Sequence, residues 1–342
     1  MSSKMLILFL IIGGIIALVD SVLGIGHSDT LLFTLVFWVA IVEGCVALVA
    51  AVEASVSPWI KSIKKELLSV HPLILFFAIL FIFLIPKMHF YPWISKNNFW
   101  LNKTSFLIRN VLVLLLTYAV ARKYSKESLN ESPKKNFYAV VYLFVFVLSQ
   151  SMVAFDWVMS LEYPWVSSLF GGYFFIESLY TGLAAAGIIL FFLYKSMGEE
   201  AFQPYKKVLR DVSLMMFGTS MLWGGLFYSQ FLVIWYGHLP EESSFFIRRM
   251  AEAPYRQIMI SIVPLLFGVP FIVLLSKPIK TKPYGILFLS LVVLTGIFLE
   301  RWVMMRPNVP LNLFLTIIEF IGIAFLFAKL SFQDKNTPGE TA

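Results

Sequence analysis

The sequence predicts an all-α integral membrane protein with about ten transmembrane helices. Of its 342 residues, 59% are hydrophobic and only 14% are charged, and the mean hydropathy is +0.82. A soluble domain has to cover its exterior with polar groups, so this composition excludes one. The 34 Phe, 14 Tyr and nine Trp are typical of lipid-facing surfaces and of aromatic belts at the membrane interface.

Ten apolar segments are long enough, or nearly long enough, to span a bilayer. Several are shorter than the roughly 20 residues that a span needs, but aromatic flanks extend them. We expect two four-helix bundles, with the first and last helices at the periphery. The segments are Met5–Leu23, Leu31–Val52, Val70–Ile85, Ser105–Val120, Phe137–Trp157, Tyr173–Tyr194, Val212–Tyr236, Gln257–Leu275, Ile286–Val303 and Leu313–Leu330.

The first segment has two interpretations. Lys4 followed by an apolar run is compatible with a cleavable signal sequence. Val19-Asp20-Ser21 is a poor small-residue cleavage site, however, and this favours a retained helix.

Lys and Arg residues predict the orientation of the chain. One alternating set of loops and ends carries 18 of them and the other carries nine. Because cytoplasmic loops are enriched in Lys and Arg, we expect the richer set, and with it both termini, on the cytoplasmic side. The two longest loops of the other set, 86–104 and 237–256, are either solvated interfacial loops or a platform for an extrinsic partner.

No loop is long enough to form a separate domain, so the chain is expected to be one polytopic membrane domain. Its predicted parts are a peripheral first helix at 1–30, a first bundle at 31–157, a second bundle at 158–303, and a last helix with a short tail at 304–342.

An internal repeat is indicated by two pairs of short matches. Phe37 to Gly44 and Phe175 to Gly182 share a spacing of seven between an aromatic residue and a glycine. The runs 106–109 and 245–248 also match, as FLIR and FFIR. The identities are few and chance could produce them, but they predict a parallel repeat of two four-helix bundles.

Metal and haem ligands are scarce. Cys45 is the one cysteine, whereas iron–sulfur clusters and structural zinc take several Cys or Cys/His ligands. The four histidines, His27, His71, His89 and His238, lie at predicted helix ends or in loops. We therefore expect no redox cofactor bound by this chain alone. The net charge of +7 is spread over short loops and does not indicate nucleic-acid binding.

The stretch from Ser149 to Ala186 is otherwise apolar enough to span a membrane, but it contains three carboxylates, Asp156, Glu162 and Glu177. Placing a carboxylate in or near hydrocarbon costs at least a few kcal/mol of free energy. Such residues therefore usually form ion pairs, line a water-filled space or transfer protons. Asp156 and Glu177 flank one turn at similar depth. Two carboxyls held close in a partly dry site cannot both ionise cheaply, so we expect them to form a proton-exchanging pair. The alternative is that Asp156 braces the junction of helix and turn.

Other polar residues within the spans complete a candidate proton path. In the fifth segment Ser149, Asp156 and Ser160 are spaced i, i+7 and i+11, which predicts one polar face. Glu43 lies beside a small-residue stripe at 40, 44, 47 and 51, which would let another helix approach closely. Carboxyls and hydroxyls on facing helices could relay protons, although buried carboxyls held by hydrogen bonds would give the same pattern. The candidates for the path are Asp156, Glu177, Glu43, Glu319, Thr181 and Ser149.

Three further features of the spans carry expectations. Gly224-Gly225 predicts a bend in the seventh segment. Glu300 and Arg301 are expected to form local ion pairs or to snorkel to the interface. Trp157, Tyr163 and Trp165 form an aromatic cluster at the end of the fifth segment and in the turn that follows it.

Two runs, AFDWVMSLEYPWVSSLFGGYFF at 154–175 and SQFLVIWYGHLPEE at 229–242, resemble the second NrfD-like membrane subunit of alternative complex III. That complex is a bacterial quinol:electron-acceptor oxidoreductase, and this subunit is often labelled quinone-binding subunit 2. Phe37-Trp38, Gly44, the segment PWIKSIKKELL at 58–68 and Phe155-Asp156-Trp157 support the resemblance, which covers roughly residues 28–330.

The resemblance implies a ten-helix protein of two four-helix bundles, bound to a homologous NrfD-like membrane subunit in the bacterial inner membrane. It also implies extrinsic iron–sulfur and cytochrome c subunits on the outer side, which hold the clusters and haem c. Quinol would deliver electrons to those partners, and the membrane subunits are expected to conduct protons. In this family the homologous first subunit is the better candidate for the quinol pocket, although the aromatic cluster Trp157, Tyr163 and Trp165 of this chain could flank a quinone head group.

Two other functions fit the sequence. A secondary transporter would use the internal repeat and the bent seventh helix, and it would be active when reconstituted alone. A purely structural membrane anchor would tolerate neutralisation of every buried carboxyl.

Overall fold

The computed structural model describes residues 3–23, 30–96, 99–237, 239–306 and 308–332. These residues form helices joined by short turns, with no β-strand among them. The ten helices that occupy the predicted segments are α1 (Ser3–Leu23), α2 (Thr30–Ala54), α3 (Pro72–Ile82), α4 (Lys103–Leu129), α5 (Lys135–Met152), α6 (Phe170–Phe202), α7 (Tyr205–Gly237), α8 (Tyr255–Leu275), α9 (Pro283–Met305) and α10 (Leu313–Ser331).

The prediction of an all-α integral membrane protein is confirmed. Within the described ranges, eight helices are long and apolar enough to cross a membrane, counting α3 together with the short helix Lys64–Leu68 that precedes it. The other two, α1 and α7, occupy the first and seventh predicted segments. Large apolar side chains are exposed on the outer faces of α4, α7, α8 and α10, as a lipid-facing surface requires.

Eight of the helices pack as two rings of four. In the first ring α2 contacts α3, α3 contacts α4, α4 contacts α5, and α5 returns to α2. Helices α6 to α9 repeat the same order of contacts. At the periphery, α1 and α10 pack on each other, with α1 also on α3 and α10 also on α2. The first ring is called here the first bundle and the second ring the second bundle.

The centre of the molecule is α2. All of its residues except Ala51 and Ala54 are buried, because it packs on α3 and α5 within its own bundle and on α6, α9 and α10 outside it. A helix that is apolar on every side has to be enclosed in this way in a protein, or else face lipid all round.

Helices α2 and α6 approach each other more closely than ordinary side chains allow. A Cβ atom added to Gly44 would lie 1.9 Å from the carbonyl oxygen of Ser178, and one added to Gly182 would lie 2.4 Å from the Gly44 backbone. The Ser178 hydroxyl donates a hydrogen bond of 2.6 Å to the Ala40 carbonyl across the same contact. The small-residue stripe predicted on α2 is therefore a helix contact, as expected.

A π-helical turn, Val153–Val158, extends α5 and is followed by the 3-10 turn Met159–Glu162. A π turn holds an extra residue relative to an α turn, so it rotates the side chains that follow it. Ser149 and Asp156 were expected on one polar face of this helix. Instead Ser149 faces α2 and Asp156 faces α4.

The helix is not broken at Gly224-Gly225, where a bend was predicted, since α7 is helical without interruption from Tyr205 to Gly237. Gly224 gives room to a neighbour instead: an added Cβ would lie 2.9 Å from the Phe267 ring on α8. The interruption lies on α8 itself, where Pro264–Gly268 forms a π turn.

The repeat is only partly seen in the structure. Gly44 and Gly182, equivalent in the first match, meet each other where α2 crosses α6. The second match is not equivalent, because Arg109 lies inside α4 whereas Arg248 lies on a separate helix, Pro240–Ala251, before α8 begins.

Two opposite sets of helix connections define two named faces of the molecule. The turn face carries the α5–α6 connection, residues 159–169, and the loop face carries the α4–α5 connection, residues 130–134. The turn face is tied together by Glu162, whose carboxylate accepts hydrogen bonds from Arg249 at 2.7 Å and from Asn308 at 2.8 Å. These two partners come from the α7–α8 and α9–α10 connections.

Candidate functional site

Asp156 belongs to a closed hydrogen-bonded group in the first bundle. Its buried carboxylate pairs with the Arg109 guanidinium at 2.6 Å and accepts the Asn110 amide at 2.8 Å. The Trp157 ring nitrogen donates to the other end of the same Asn110 amide at 2.8 Å, and the Trp157 ring stacks on Phe81 at 4.6 Å. The π turn of α5 directs Asp156 and Trp157 into this group, which joins α3, α4 and α5.

Glu177 lies at the centre of a second group, in the second bundle. Its carboxylate forms an ion pair with Arg301 of α9, and both side chains are fully buried. Trp223 of α7 donates to the same carboxylate at 3.3 Å. Glu300 is an immediate neighbour of Glu177, and its carboxyl accepts a hydrogen bond from the Tyr173 hydroxyl. The Arg301 guanidinium also lies over the Phe174 ring.

The expected pairing of Asp156 with Glu177 is therefore wrong. Asp156 is neutralised by Arg109 in one bundle and Glu177 by Arg301 in the other. The carboxyl that lies next to Glu177 is Glu300. Arg301 does not snorkel to the interface, since none of its side chain is exposed.

Two carboxyls thus share one guanidinium. Glu177 and Glu300 carry two negative charges when ionised, whereas Arg301 supplies one positive charge among the described side chains of this group. One Glu300 oxygen, Oε2, is buried without a hydrogen-bond partner among the described residues. Leaving the second carboxylate ionised would bury an uncompensated charge, so this group has a place for a proton.

A small cavity borders this group. Its volume is about 20 Å³, above the roughly 10–15 Å³ that one water molecule needs, and it is lined by Tyr173, Gln230, Arg249 and Glu300 among others. A larger pocket of about 290 Å³ lies beside it at the turn face, between residues 166–169 and α7. Gln230 lines both spaces.

Glu43 forms a third buried group, where α2 meets α5. One carboxylate oxygen accepts from the Ser149 hydroxyl at 2.8 Å and the other accepts from the Gln150 amide at 2.7 Å. The Tyr142 hydroxyl donates to the Glu43 carbonyl at 3.1 Å. Within the described part of the chain no Lys or Arg pairs with Glu43, so hydrogen bonds alone hold it.

A fourth group, which the sequence analysis did not single out, lies toward the loop face. Glu53 pairs with Lys64 at 3.2 Å and accepts hydrogen bonds from Tyr124 and Ser128 at 2.7 and 2.8 Å. Lys64 also pairs with Glu131 at 2.6 Å.

Glu131 lies in the connection outside the spans, and the ammonium groups of Lys135 and Lys64 lower the pKa of its carboxyl to about 2. The residues of the fourth group are 11 to 75 positions apart along the chain, so sequence spacing gave no signal for it.

The remaining candidates for the proton path have local partners. Thr181 donates to the Ser178 carbonyl at 2.8 Å, one turn back along its own helix. Glu319 of α10 accepts from Thr34 of α2 at 2.5 Å. These two positions stabilise helix geometry and helix packing. Thr181 lies one turn after Glu177 on the same face of α6, but its hydroxyl is bonded to the helix backbone.

The three aromatic candidates for a quinone site do not surround one space. Trp157 is enclosed in the first bundle. Trp165 lies at the turn face, where it stacks on Phe245 of the helix Pro240–Ala251 at 4.2 Å and donates to the Glu242 carbonyl at 3.0 Å. Tyr163 is half-buried, with the Lys96 ammonium 5.0 Å from its ring centre.

Possible metal ligands are dispersed. In the described ranges no three His, Cys, Asp or Glu side chains group together as a metal site would require. His71 lies at the start of α3, with its Nδ1 atom 2.8 Å from the Leu68 carbonyl oxygen. His27 and His238 lie outside the described residues.

A scan of the sequence against models of known protein families finds no match, and a search of curated protein sequences finds none either. The fold and the buried groups define a class: a multi-pass α-helical membrane protein of two four-helix bundles, with ionisable side chains buried between its helices.

Proposed function

We propose that this chain is a membrane subunit of a quinol:electron-acceptor oxidoreductase of the alternative complex III type, and that its second bundle conducts protons. The observation that carries the proposal is the group formed by Glu177, Glu300 and Arg301, in which two carboxyls share one guanidinium beside a cavity large enough for water. Such a group is neutral when one carboxyl is protonated, so it can hold a proton among the helices and pass it to water when another proton replaces it.

The resemblance of residues 154–175 and 229–242 to NrfD-like subunits supports the choice of complex. On this proposal the chain lies in the bacterial inner membrane beside a homologous NrfD-like subunit. Extrinsic iron–sulfur and cytochrome c subunits, which hold the clusters and haem c, would bind the turn face. The chain itself would carry no redox cofactor, and quinol would be oxidised next to it or in the homologous subunit.

The proposed orientation has the turn face outside and both termini in the cytoplasm. Four of the nine Lys and Arg residues in the basic-poor set pair with buried or half-buried carboxylates, so they are not free loop charges; they are Arg109, Arg248, Arg249 and Arg301. Among the described residues of the basic-rich set, Lys64 and Lys123 pair in the same way, so the contrast between the two sets still widens. Asn130→Cys on the loop face should react with an impermeant thiol reagent only from the cytoplasm, and Ser95→Cys on the turn face only from outside.

The complex can be tested by purifying the tagged chain in mild detergent. The proposal expects a homologous membrane subunit by mass spectrometry and haem and cluster absorption in the purified material, with neither absorption in the chain expressed alone. A chain that purifies alone from its native membrane, without these partners, would contradict the proposed complex.

The proton path can be tested separately with Glu300→Gln. We expect the complex to assemble, because Gln keeps the acceptor for Tyr173, while the protons released per electron fall. Asp211→Asn is a matched control, since Asp211 is a half-exposed α7 carboxylate outside the four buried groups. Wild-type proton release in Glu300→Gln would reject this path.

A transporter remains a second proposal, with weaker support. The hypothesis partly rested on a broken seventh helix, and α7 is continuous, although the arrangement of two bundles remains. A structural anchor predicts that Glu300→Gln and Glu43→Gln both leave turnover intact.

A further inference from the structure

We infer that Gln230 of α7 is a water-binding link that joins the pocket at the turn face to the cavity beside Glu300. This inference extends the proposed function, because it supplies the route between the buried carboxyls and the turn face. The link itself does not depend on which complex contains the chain.

The position of Gln230 is the first observation. It lines both the cavity of about 20 Å³ and the pocket of about 290 Å³. The residue is only 6% exposed, so its side chain lies between the two spaces and not in open solvent.

The chemistry of the side chain is the second observation. A glutamine amide carries two N–H donors and a carbonyl acceptor. No hydrogen bond joins the Gln230 side chain to another described residue, and its amide atoms are not among the fully enclosed polar atoms without a partner, so they border accessible space. Buried amides are normally satisfied. An amide next to two spaces that admit water is satisfied most simply by bound water, which needs two to four polar partners.

The surroundings on each side are the third observation. Toward the interior, the small cavity reaches Tyr173 and Glu300, which are hydrogen-bonded to each other. Toward the surface, the larger pocket reaches Ser168 and Glu242, next to the exposed Val166. Water held by Gln230 would therefore connect Glu300 to polar groups at the turn face.

The inner cavity contains its own reporters. Met259 and Met304 line it, and methionine sulfur is oxidised by hydroxyl radicals formed from nearby water. Radiolytic footprinting followed by mass spectrometry therefore measures water beside these two sulfurs without any assay of turnover. Met305, which is fully buried and does not line the cavity, serves as an internal reference.

The test compares wild type with Gln230→Leu, which keeps the bulk of the side chain and removes its polar atoms. We expect oxidation of Met259 and Met304 to fall by roughly fivefold, because the link no longer binds water. Gln230→Ala, which widens the passage, should raise it, and Met305 should not change in either variant. Phe231→Leu on the neighbouring lipid-facing position is the control for general effects of mutating α7.

Unchanged oxidation of both methionines in Gln230→Leu and Gln230→Ala would overturn the link. If Gln230→Leu does not fold, Gln230→Ala alone still decides, since its unchanged oxidation would also reject the inference. The experiments can reject the water link and the proposed proton conduction independently of each other. Oxidation that follows Gln230 while Glu300→Gln keeps wild-type proton release supports the link and rejects proton conduction.

Discussion

Gly44 of α2 and Gly182 of α6 lie in backbone contact, at equivalent positions of the two repeats. A Cβ atom on Gly182 would lie 2.4 Å from the Gly44 carbonyl group, and one on Gly44 would lie 1.9 Å from the Ser178 carbonyl oxygen. These neighbours are backbone atoms, so they cannot move aside as a flexible side chain can. The two bundles are therefore joined where neither helix has a side chain.

The first prediction is that Gly44→Ala and Gly182→Ala each destabilise the protein by about 3 kcal/mol or more, because the added methyl forces α2 and α6 apart. Gly218→Ala is the matched control: it lies on α7, and nothing is within 4 Å of its added Cβ. It should be neutral or stabilising by up to about 1 kcal/mol. Detergent-melting curves measure all three, and equal melting temperatures for Gly44→Ala and Gly218→Ala would contradict the prediction.

The fold was predictable because its main determinants are local. Apolar runs gave the ten segments, and the stripe around Gly44 indicated a close helix contact. What the sequence did not show was the partner of each buried charge. Arg301 is adjacent to Glu300 in the chain and was interpreted as locally paired, yet its ion-pair partner Glu177 lies 124 positions earlier. Such pairings follow from how the bundles pack.

Side-chain direction was mispredicted at α5 for a physical reason. The spacing from Ser149 to Asp156 places both residues on one face of an α-helix, but the π turn Val153–Val158 inserts an extra residue between them. Hydropathy and spacing do not reveal such a turn. As a result, the carboxyl expected to exchange protons with Glu177 is bound to Arg109.

The second prediction concerns this Asp156–Arg109 pair. Asp156→Asn should destabilise the protein by about 3 kcal/mol, because it leaves the Arg109 guanidinium, only 14% exposed, without its counterion. Arg109→Gln combined with Asp156→Asn should recover part of this loss, with a coupling energy of about 1–3 kcal/mol. Turnover per assembled complex should stay at the wild-type value, and a specific loss of proton release in Asp156→Asn would restore a proton-path role for this residue.

The third prediction is a pH dependence of the loop face. Glu131 has a pKa lowered from 4.5 to about 2 by Lys135 and Lys64. A lowered pKa in the folded state stabilises the protein above pH 4.5, and the contribution is lost as the pH falls toward 2. The melting-temperature difference between wild type and Glu131→Gln should be constant from neutral pH to about 5 and should shrink below 4.5. The effect is small because the side chain is half exposed, and a difference that grows on acidification would contradict it.

The last prediction compares how substitutions of the three ionisable side chains of the second-bundle group change the stability of the protein. Arg301→Gln removes the one guanidinium and leaves Glu177 and Glu300 buried without a cation, so it should cost about 3–5 kcal/mol. Glu300→Gln removes the carboxyl that Arg301 does not need, and its stability should equal or exceed that of wild type. Glu177→Gln should lie between the two, because Glu300 is close enough to replace it as the counterion of Arg301.

Unfolding measurements in detergent can rank the stabilities of these three variants. Arg301→Gln with Glu300→Gln should be more stable than Arg301→Gln alone, since the double variant buries one carboxyl fewer without a partner. A double variant that is less stable than Arg301→Gln alone would show that Glu300 is held by other partners. Such a result would also remove the excess carboxyl on which proton conduction through this bundle depends.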